Sequence, residues 1–206
     1  MDELVRQLIE SGTLRTRAII KAFRRIDRAD FVRPEDKLAA YADEALPIGF
    51  GQMISQPTVV AFILELLQPE EGESILDVGA GSGWTTALLG ELVGADGEVH
   101  GVEIIPELVE FGQRNLAKYN SSHIEIVQAH ENELGLPEDA PFSKILVSAA
   151  ADEVPRRLLD QLDNGGRMVV PVKHDVWLFK KSATGEFENK KFEGFAFVPL
   201  LDKEEK

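Results

Sequence analysis

The stretch Ile75-Leu76-Asp77-Val78-Gly79-Ala80-Gly81-Ser82-Gly83 decides the fold. A short apolar strand, Ser74 to Val78, enters a glycine-rich turn, and Ala87, Leu88, Leu89, Leu92 and Val93 leave it at helical spacing. Glycines in such a turn permit positive φ and let a ligand approach the backbone, and the helix start adds unpaired N–H groups. This is a nucleotide site in type. Two details turn the reading away from a dinucleotide. The glycines run G-x-G-x-G, and Asp77 sits at the strand end just before the turn. A carboxylate there repels a pyrophosphate and suits a cation; S-adenosylmethionine carries an ammonium and a sulfonium. Glu103, 20 residues after Gly83, ends the next strand, where an acid takes both hydroxyls of an adenosine ribose. Nicotinamide-dependent enzymes use the same device, so Glu103 alone does not separate methyl transfer from hydride transfer.

Outward from the turn, helix and strand alternate. Val59, Val60, Phe62, Ile63, Leu66 and Leu67 read as a buried helix that ends at Pro69-Glu70-Glu71-Gly72. Strands are expected at 98–102, 124–128, 144–148 and 167–172, with helices at 107–119 and 154–162. Val176 and Leu178, then Phe192, Phe195 and Phe197, predict a closing antiparallel pair with a turn near Thr184-Gly185. Strands alternating with helices imply a parallel sheet covered on both faces. The fold class is therefore α/β: a Rossmann-like, doubly wound, mostly parallel sheet with a C-terminal antiparallel strand pair.

Upstream lies an N-terminal helical extension. Leu4, Val5, Leu8 and Ile9 form one face, and Leu14, Ala18, Ile19, Ala22, Phe23 and Ile26 a second. Thr13 is the expected N-cap, with Arg24, Arg25 and Arg28 near the far end, where cations suit the helix dipole. Pro47, Gly49 and Gly51 mark a loop.

Composition narrows the function classes. The 206 residues contain no cysteine, which excludes disulfide scaffolds, thiolate metal sites and cysteine nucleophiles. The four histidines, His100, His123, His130 and His174, show no ligand spacing, so no metal is expected. A net charge of −14 disfavours nucleic acid as a partner. No apolar run approaches a membrane span, and the acidic start Met1-Asp2-Glu3-Leu4 does not read as a signal peptide, so a cytoplasmic protein is expected. Asp202 to Lys206 read as a frayed charged tail.

The tract Ala40-Tyr41-Ala42-Asp43-Glu44-Ala45-Leu46-Pro47-Ile48-Gly49-Phe50-Gly51-Gln52-Met53-Ile54-Ser55-Gln56-Pro57 is the most specific signal. Together with the glycine turn, Glu103-Ile104-Ile105-Pro106-Glu107-Leu108, Ala140-Pro141-Phe142, the 165–172 stretch and Phe197-Val198-Pro199-Leu200, it resembles the protein-L-isoaspartate O-methyltransferase family over nearly the whole chain. The resemblance implies a class I methyltransferase fold, S-adenosyl-L-methionine as cofactor and isoaspartyl-containing peptides or proteins as substrate, handled by a monomer. It divides the chain into residues 1–57, the helical extension with the active-site loop, and residues 58–206, the cofactor-binding domain. It implies Ser55 as the active-site residue. It assigns Gln52, Ile54, Asp77, Gly79, Gly81, Gly83, Glu103, Ile104, Glu131 and Asn132 to the cofactor. The chain departs from the family at Met53, where Thr is usual, at His130-Glu131-Asn132, where Gly-Asp-Gly is usual, and at Asp152, where Pro is usual. These departures leave room for a methyltransferase of this fold with another acceptor, or a cofactor-binding relative without repair activity.

Overall fold

The computed structural model describes residues 1–119, 122–130 and 133–201. Glu131, Asn132 and the tail 202–206 lie outside the described residues. The chain begins with two short helices, α1 (Asp2–Glu10) and α2 (Arg17–Arg25). Their apolar faces bury Leu4, Val5 and Leu8, then Ile19, Ala22 and Phe23. Thr16, not Thr13, is the N-cap of α2. The reason is long-range: Glu65 accepts the amides of Arg15 and Thr16, each at 2.7 Å, and the Thr16 hydroxyl at 2.8 Å. That carboxylate does the capping a local hydroxyl otherwise does.

The expected loop around Pro47–Gly51 is instead a small antiparallel hairpin, β1 (Leu46–Gly49) and β2 (Gln52–Ile54). Gly49, Phe50 and Gly51 turn it, all at positive φ (102°, 54° and 73°). Strands of four and three residues are too short to show a two-residue period.

The body is a seven-stranded sheet. Helix α3 (Pro57–Leu67) leads to β3 (Ser74–Val78) and α4 (Trp84–Val93). Then come β4 (Glu98–Glu103), α5 (Pro106–Leu116), β5 (Ile124–Gln128), β6 (Phe142–Val147), α6 (Arg156–Asp160) and β7 (Leu162–Val172). A hairpin of β8 (Asp175–Lys181) and β9 (Phe187–Glu193) closes the sheet. The order is β5-β4-β3-β6-β7-β8-β9, parallel through β7 and antiparallel beyond it. Side chains alternate across the sheet: Ile75, Val99, Ile126 and Leu146 join the core formed with α1 to α5, while Leu76, Val102, Ile145 and Val147 join the core beneath α6. The first core holds the N-terminal helices and the sheet in one apolar body.

Two expectations change here. The helix predicted over 154–162 is only five residues long, because Pro155 caps its start and Leu162 already pairs with Phe142 as strand. Phe195 and Phe197 lie past β9; the closing segment turns back, and Val198 and Leu200 bond the backbone of Ala150 (2.8 and 2.7 Å).

The chain order reverses where β3 lies between β4 and β6. In open α/β sheets the crevice beyond the strand ends at such a switch point is where ligands bind.

Candidate active site

The crevice begins with the glycine turn. Gly79 and Gly81 adopt φ of 83° and 54°, a region that other residues enter at a cost. A Cβ on Gly79 would stand 3.8–3.9 Å from Ala149 and Ser148, and one on Gly81 would stand 3.1 Å from Ile48. Both glycines line an open-mouthed cavity. Gly83 has a different job. It caps α4 at φ 87°, and a Cβ there would meet Ile126 at 3.0 Å and the Gly112 carbonyl at 3.3 Å. Gly83 sets the packing of α4 against α5 and does not line the cavity.

Glu103 closes one side. It is 6% exposed, and its two oxygens accept the amides of Gly81 (2.9 Å) and Ile105 (3.0 Å). A carboxylate held by two backbone amides is fixed in orientation, and each oxygen keeps a further lone pair. Ile104, Gln52, Ala129 and His130 line the same cavity, with Val198, Pro199 and Leu200 from the closing segment.

Asp77 lies behind the wall. It is completely buried and lines neither this cavity nor the two recesses beside it. The hydroxyls of Thr85 and Thr86 donate to one oxygen (2.8 Å each) and that of Ser148 to the other (3.1 Å). Burial pushes its pKa up; the three hydroxyls oppose that, and the nearby Glu103 charge adds to it. Among the described residues no cation forms an ion pair with Asp77.

Two further recesses adjoin the cavity. An inner pocket lies between Ile54, Ser55, the 79–82 turn, Trp84 and Thr85. An outer groove runs between Ala45, Ser55, Gln56 and Val59 on one side and Ala196 to Val198 on the other. Ser55 therefore stands between them, at the end of the hairpin and just before α3. Among the described residues its hydroxyl makes no hydrogen bond. The structure thus gathers Gln52, Ile54, Ser55, Gly79, Gly81, Glu103 and Ile104 around one connected space, and sets Asp77 and Gly83 behind it.

Three supporting residues escaped sequence reading. Arg28 lies beyond the end of α2 and is 0% exposed, so it serves no helix dipole. Its guanidinium donates to the carbonyls of Ala40 (2.8 Å), Ala42 (3.3 Å), Glu44 (2.8 Å) and Ser55 (3.1 Å), and lies 5.2 Å from the Trp84 ring centre. Burial lowers its pKa to about 10, against the pull of Asp43 and Glu44, so it is cationic at neutral pH. Gln161 bonds Leu134, Leu136 and Arg157 and so holds the Leu134-Gly135 wall. Ser148 borders the cavity, the pocket and the groove alike. Only contacts across long stretches of chain reveal these roles. None of the three leaves a local pattern.

The electrostatics are one-signed. Glu103 and Glu133 line the main cavity and Asp77 backs it, and among the described residues no Lys or Arg lines the cavity, pocket or groove. Such a site suits a cation and opposes a pyrophosphate.

Comparison with known proteins agrees. The family model described as Protein-L-isoaspartate(D-aspartate) O-methyltransferase matches residues 1–205. The protein-L-isoaspartate O-methyltransferase of Methanopyrus kandleri is 42% identical over 207 residues, spanning 98% of this chain and 92% of its own. That of Thermococcus onnurineus is 43% identical over 202 residues, spanning 96% and 91%. A solved protein-L-isoaspartate O-methyltransferase superposes with a TM-score of 0.84 at 27% identity, over 96% of this chain and 65% of the longer one. A Plasmodium falciparum chain solved with S-adenosyl-L-homocysteine shares the fold, with a TM-score of 0.84 at 23% identity over 98% of each chain. With this fold, this crevice and a match over essentially its whole length, the chain belongs to the protein-L-isoaspartate(D-aspartate) O-methyltransferase family.

Proposed function

We propose that the protein transfers the methyl group of S-adenosyl-L-methionine to the free carboxylate of L-isoaspartyl residues in damaged proteins and peptides. The observation that carries this reading is the acidic cavity at the ends of β3, β4 and β6, which shares Met53, Gly79, Gly81 and Ser148 with the pocket that Ser55 lines. Its residues fit that cofactor. Glu103 is held ready for two ribose hydroxyls by its two backbone amides. The acidic walls match a ligand with two positive centres and would repel a dinucleotide. When bound, the cofactor supplies an electrophilic methyl group on a sulfonium.

The chain's own residues then have a limited task. An isoaspartyl carboxylate has a pKa of about 4 and is ionised at neutral pH, so it is already a nucleophile and no general base is needed. Ser55 donates its unused hydroxyl proton to one carboxylate oxygen and leaves the other aimed at the reacting carbon. Among the described residues no histidine lines the pocket or the groove beside Ser55 to activate it for attack, so the transfer needs no covalent enzyme intermediate. Residues 1–57 bring the acceptor loop, and residues 58–206 hold the cofactor through Gly79, Gly81, Glu103 and Ile104, with Gln52 and Ile54 reaching over from the hairpin. Glu131 and Asn132 are assigned the adenine side on sequence grounds alone. The same reading has the protein work as a monomer in the cytoplasm, without nucleic acid or membrane, in keeping with its −14 charge.

Titration calorimetry tests the cofactor. S-adenosylmethionine should bind and NAD should not. Glu103→Ala should weaken S-adenosylmethionine binding by roughly 1–3 kcal/mol, the cost of losing charge-assisted hydrogen bonds. Preference for NAD, or an unchanged affinity in the variant, would overturn the reading.

A further inference from the structure

The main cavity, the inner pocket and the outer groove adjoin, and among the described residues two border all three: Met53 and Ser148. On the reading above, a methyl group passes from a cofactor in the first space to an acceptor in the third. The point common to all three spaces is then where the sulfonium lies. Met53 is 37% exposed and apolar, and offers that centre no counter-charge. Ser148 is the polar side chain at the junction.

The hydroxyl of Ser148 is not a free donor. Its single proton goes to Asp77, at 3.1 Å. Its oxygen is therefore left with acceptor capacity only, and a hydroxyl that donates to a carboxylate is polarised toward greater negative charge on oxygen. Asp77 itself is fully buried, without an ion pair among the described residues, and tied to Thr85 and Thr86 on its other oxygen. Buried charges are ordinarily paired. Here the missing cation has a route through Ser148.

We propose that Ser148 is a cofactor-contacting residue: its oxygen faces the sulfonium of S-adenosylmethionine and relays to it the negative charge of Asp77. This assignment rests on the cofactor reading, and it explains how an aspartate at the end of β3 favours a cation that it cannot touch. It also predicts discrimination between cofactor and product. S-adenosylmethionine carries the sulfonium, whereas S-adenosylhomocysteine has a neutral thioether at the same position and the same ammonium.

Calorimetry of both ligands on the full-length protein separates the possibilities. In Ser148→Ala the affinity for S-adenosylmethionine should fall about five- to tenfold while that for S-adenosylhomocysteine stays within about twofold, a loss typical of one charge-assisted contact. Ser148→Thr, which keeps the hydroxyl, should restore the wild-type ratio. Ser148→Cys, which replaces the oxygen with a weak acceptor, should lower it and serves equally if the alanine variant does not fold. An unchanged ratio in Ser148→Ala or Ser148→Cys, or an equal loss for both ligands, overturns the assignment while leaving the cofactor reading intact. Wild-type protein that binds neither ligand overturns both.

Discussion

Ser55 shows what a residue can do when its surroundings leave it little else. Its carbonyl is clamped by Arg28 at 3.1 Å, and its hydroxyl has no partner among the described residues, at the boundary between pocket and groove. A hydroxyl that only orients an acceptor is worth a positioning contact and not a chemical step. Ser55→Ala should therefore lower turnover roughly 10- to 1000-fold, about 1.4–4 kcal/mol, with cofactor affinity nearly unchanged. Steady-state kinetics beside calorimetry read both quantities, and an undiminished rate would strike Ser55 from the site. The same scale shows what sequence can tell. Glu103 and the glycine turn were legible because strand end, turn and helix start follow one another within a few residues. The placement of Asp77 was not. Its chemistry suits a cation, but whether it faces the ligand or stands behind Ser148 depends on a serine 71 residues away. Gly83 likewise reads as a binding glycine, yet its lack of a side chain serves the contact with Gly112.

At the scale of elements, the site depends on how the N-terminal segment docks. Arg28 ties four carbonyls of the 40–55 stretch together and stacks on Trp84 at the start of α4, so the acceptor loop is fixed to the helix that follows the glycine turn. On the other side of α2, Glu65 of α3 holds its N-cap, Thr16, and the residue before it, Arg15. Burial raises the Glu65 pKa, but the bonds from Thr16 and Arg15 outweigh it and hold it below the ordinary 4.5. Its stabilising effect is then complete above that ordinary value and is lost as pH falls through the lower folded one. Glu65→Ala should cost about 1 kcal/mol at pH 7, a lost cap, or roughly 2–4 °C in Tm. The deficit relative to wild type should shrink toward pH 3, and thermal melts at the two pH values check it; a deficit independent of pH would remove Glu65 from the capping role. Strands β3 and β5 match their sequence reading to the residue: β3 is a buried parallel strand that appears as a bounded apolar run, and β5, at the sheet edge, shows the alternation Ile124-Glu125-Ile126 with only Ile126 buried. The β1–β2 hairpin and the shortening of α6 were not legible, since a three-residue strand carries no period and the end of α6 is set by strand pairing at Leu162.

The whole molecule joins a widespread sheet topology to a family-specific front. The sheet order and its switch point put an acidic cavity where nucleotides bind, and the 40–57 tract and the closing segment at 197–200 place an acceptor groove across its mouth. Two positions at which the sequence reading sets the chain apart from its family lie inside this space, Met53 at the junction and His130 in the cavity wall. The groove beside Ser55 carries no fixed cation among the described residues. On the proposed reading, recognition of the acceptor carboxylate falls to Ser55 and to the positive charge of the cofactor. The most direct test offers the enzyme two peptides of one sequence, differing only in an isoaspartyl or an aspartyl linkage, with S-adenosylmethionine labelled in the methyl group. The account predicts base-labile label in the isoaspartyl peptide at least about 100-fold faster than in its twin, and none on the protein. Equal labelling of both peptides, or label in neither while the cofactor binds, would contradict it.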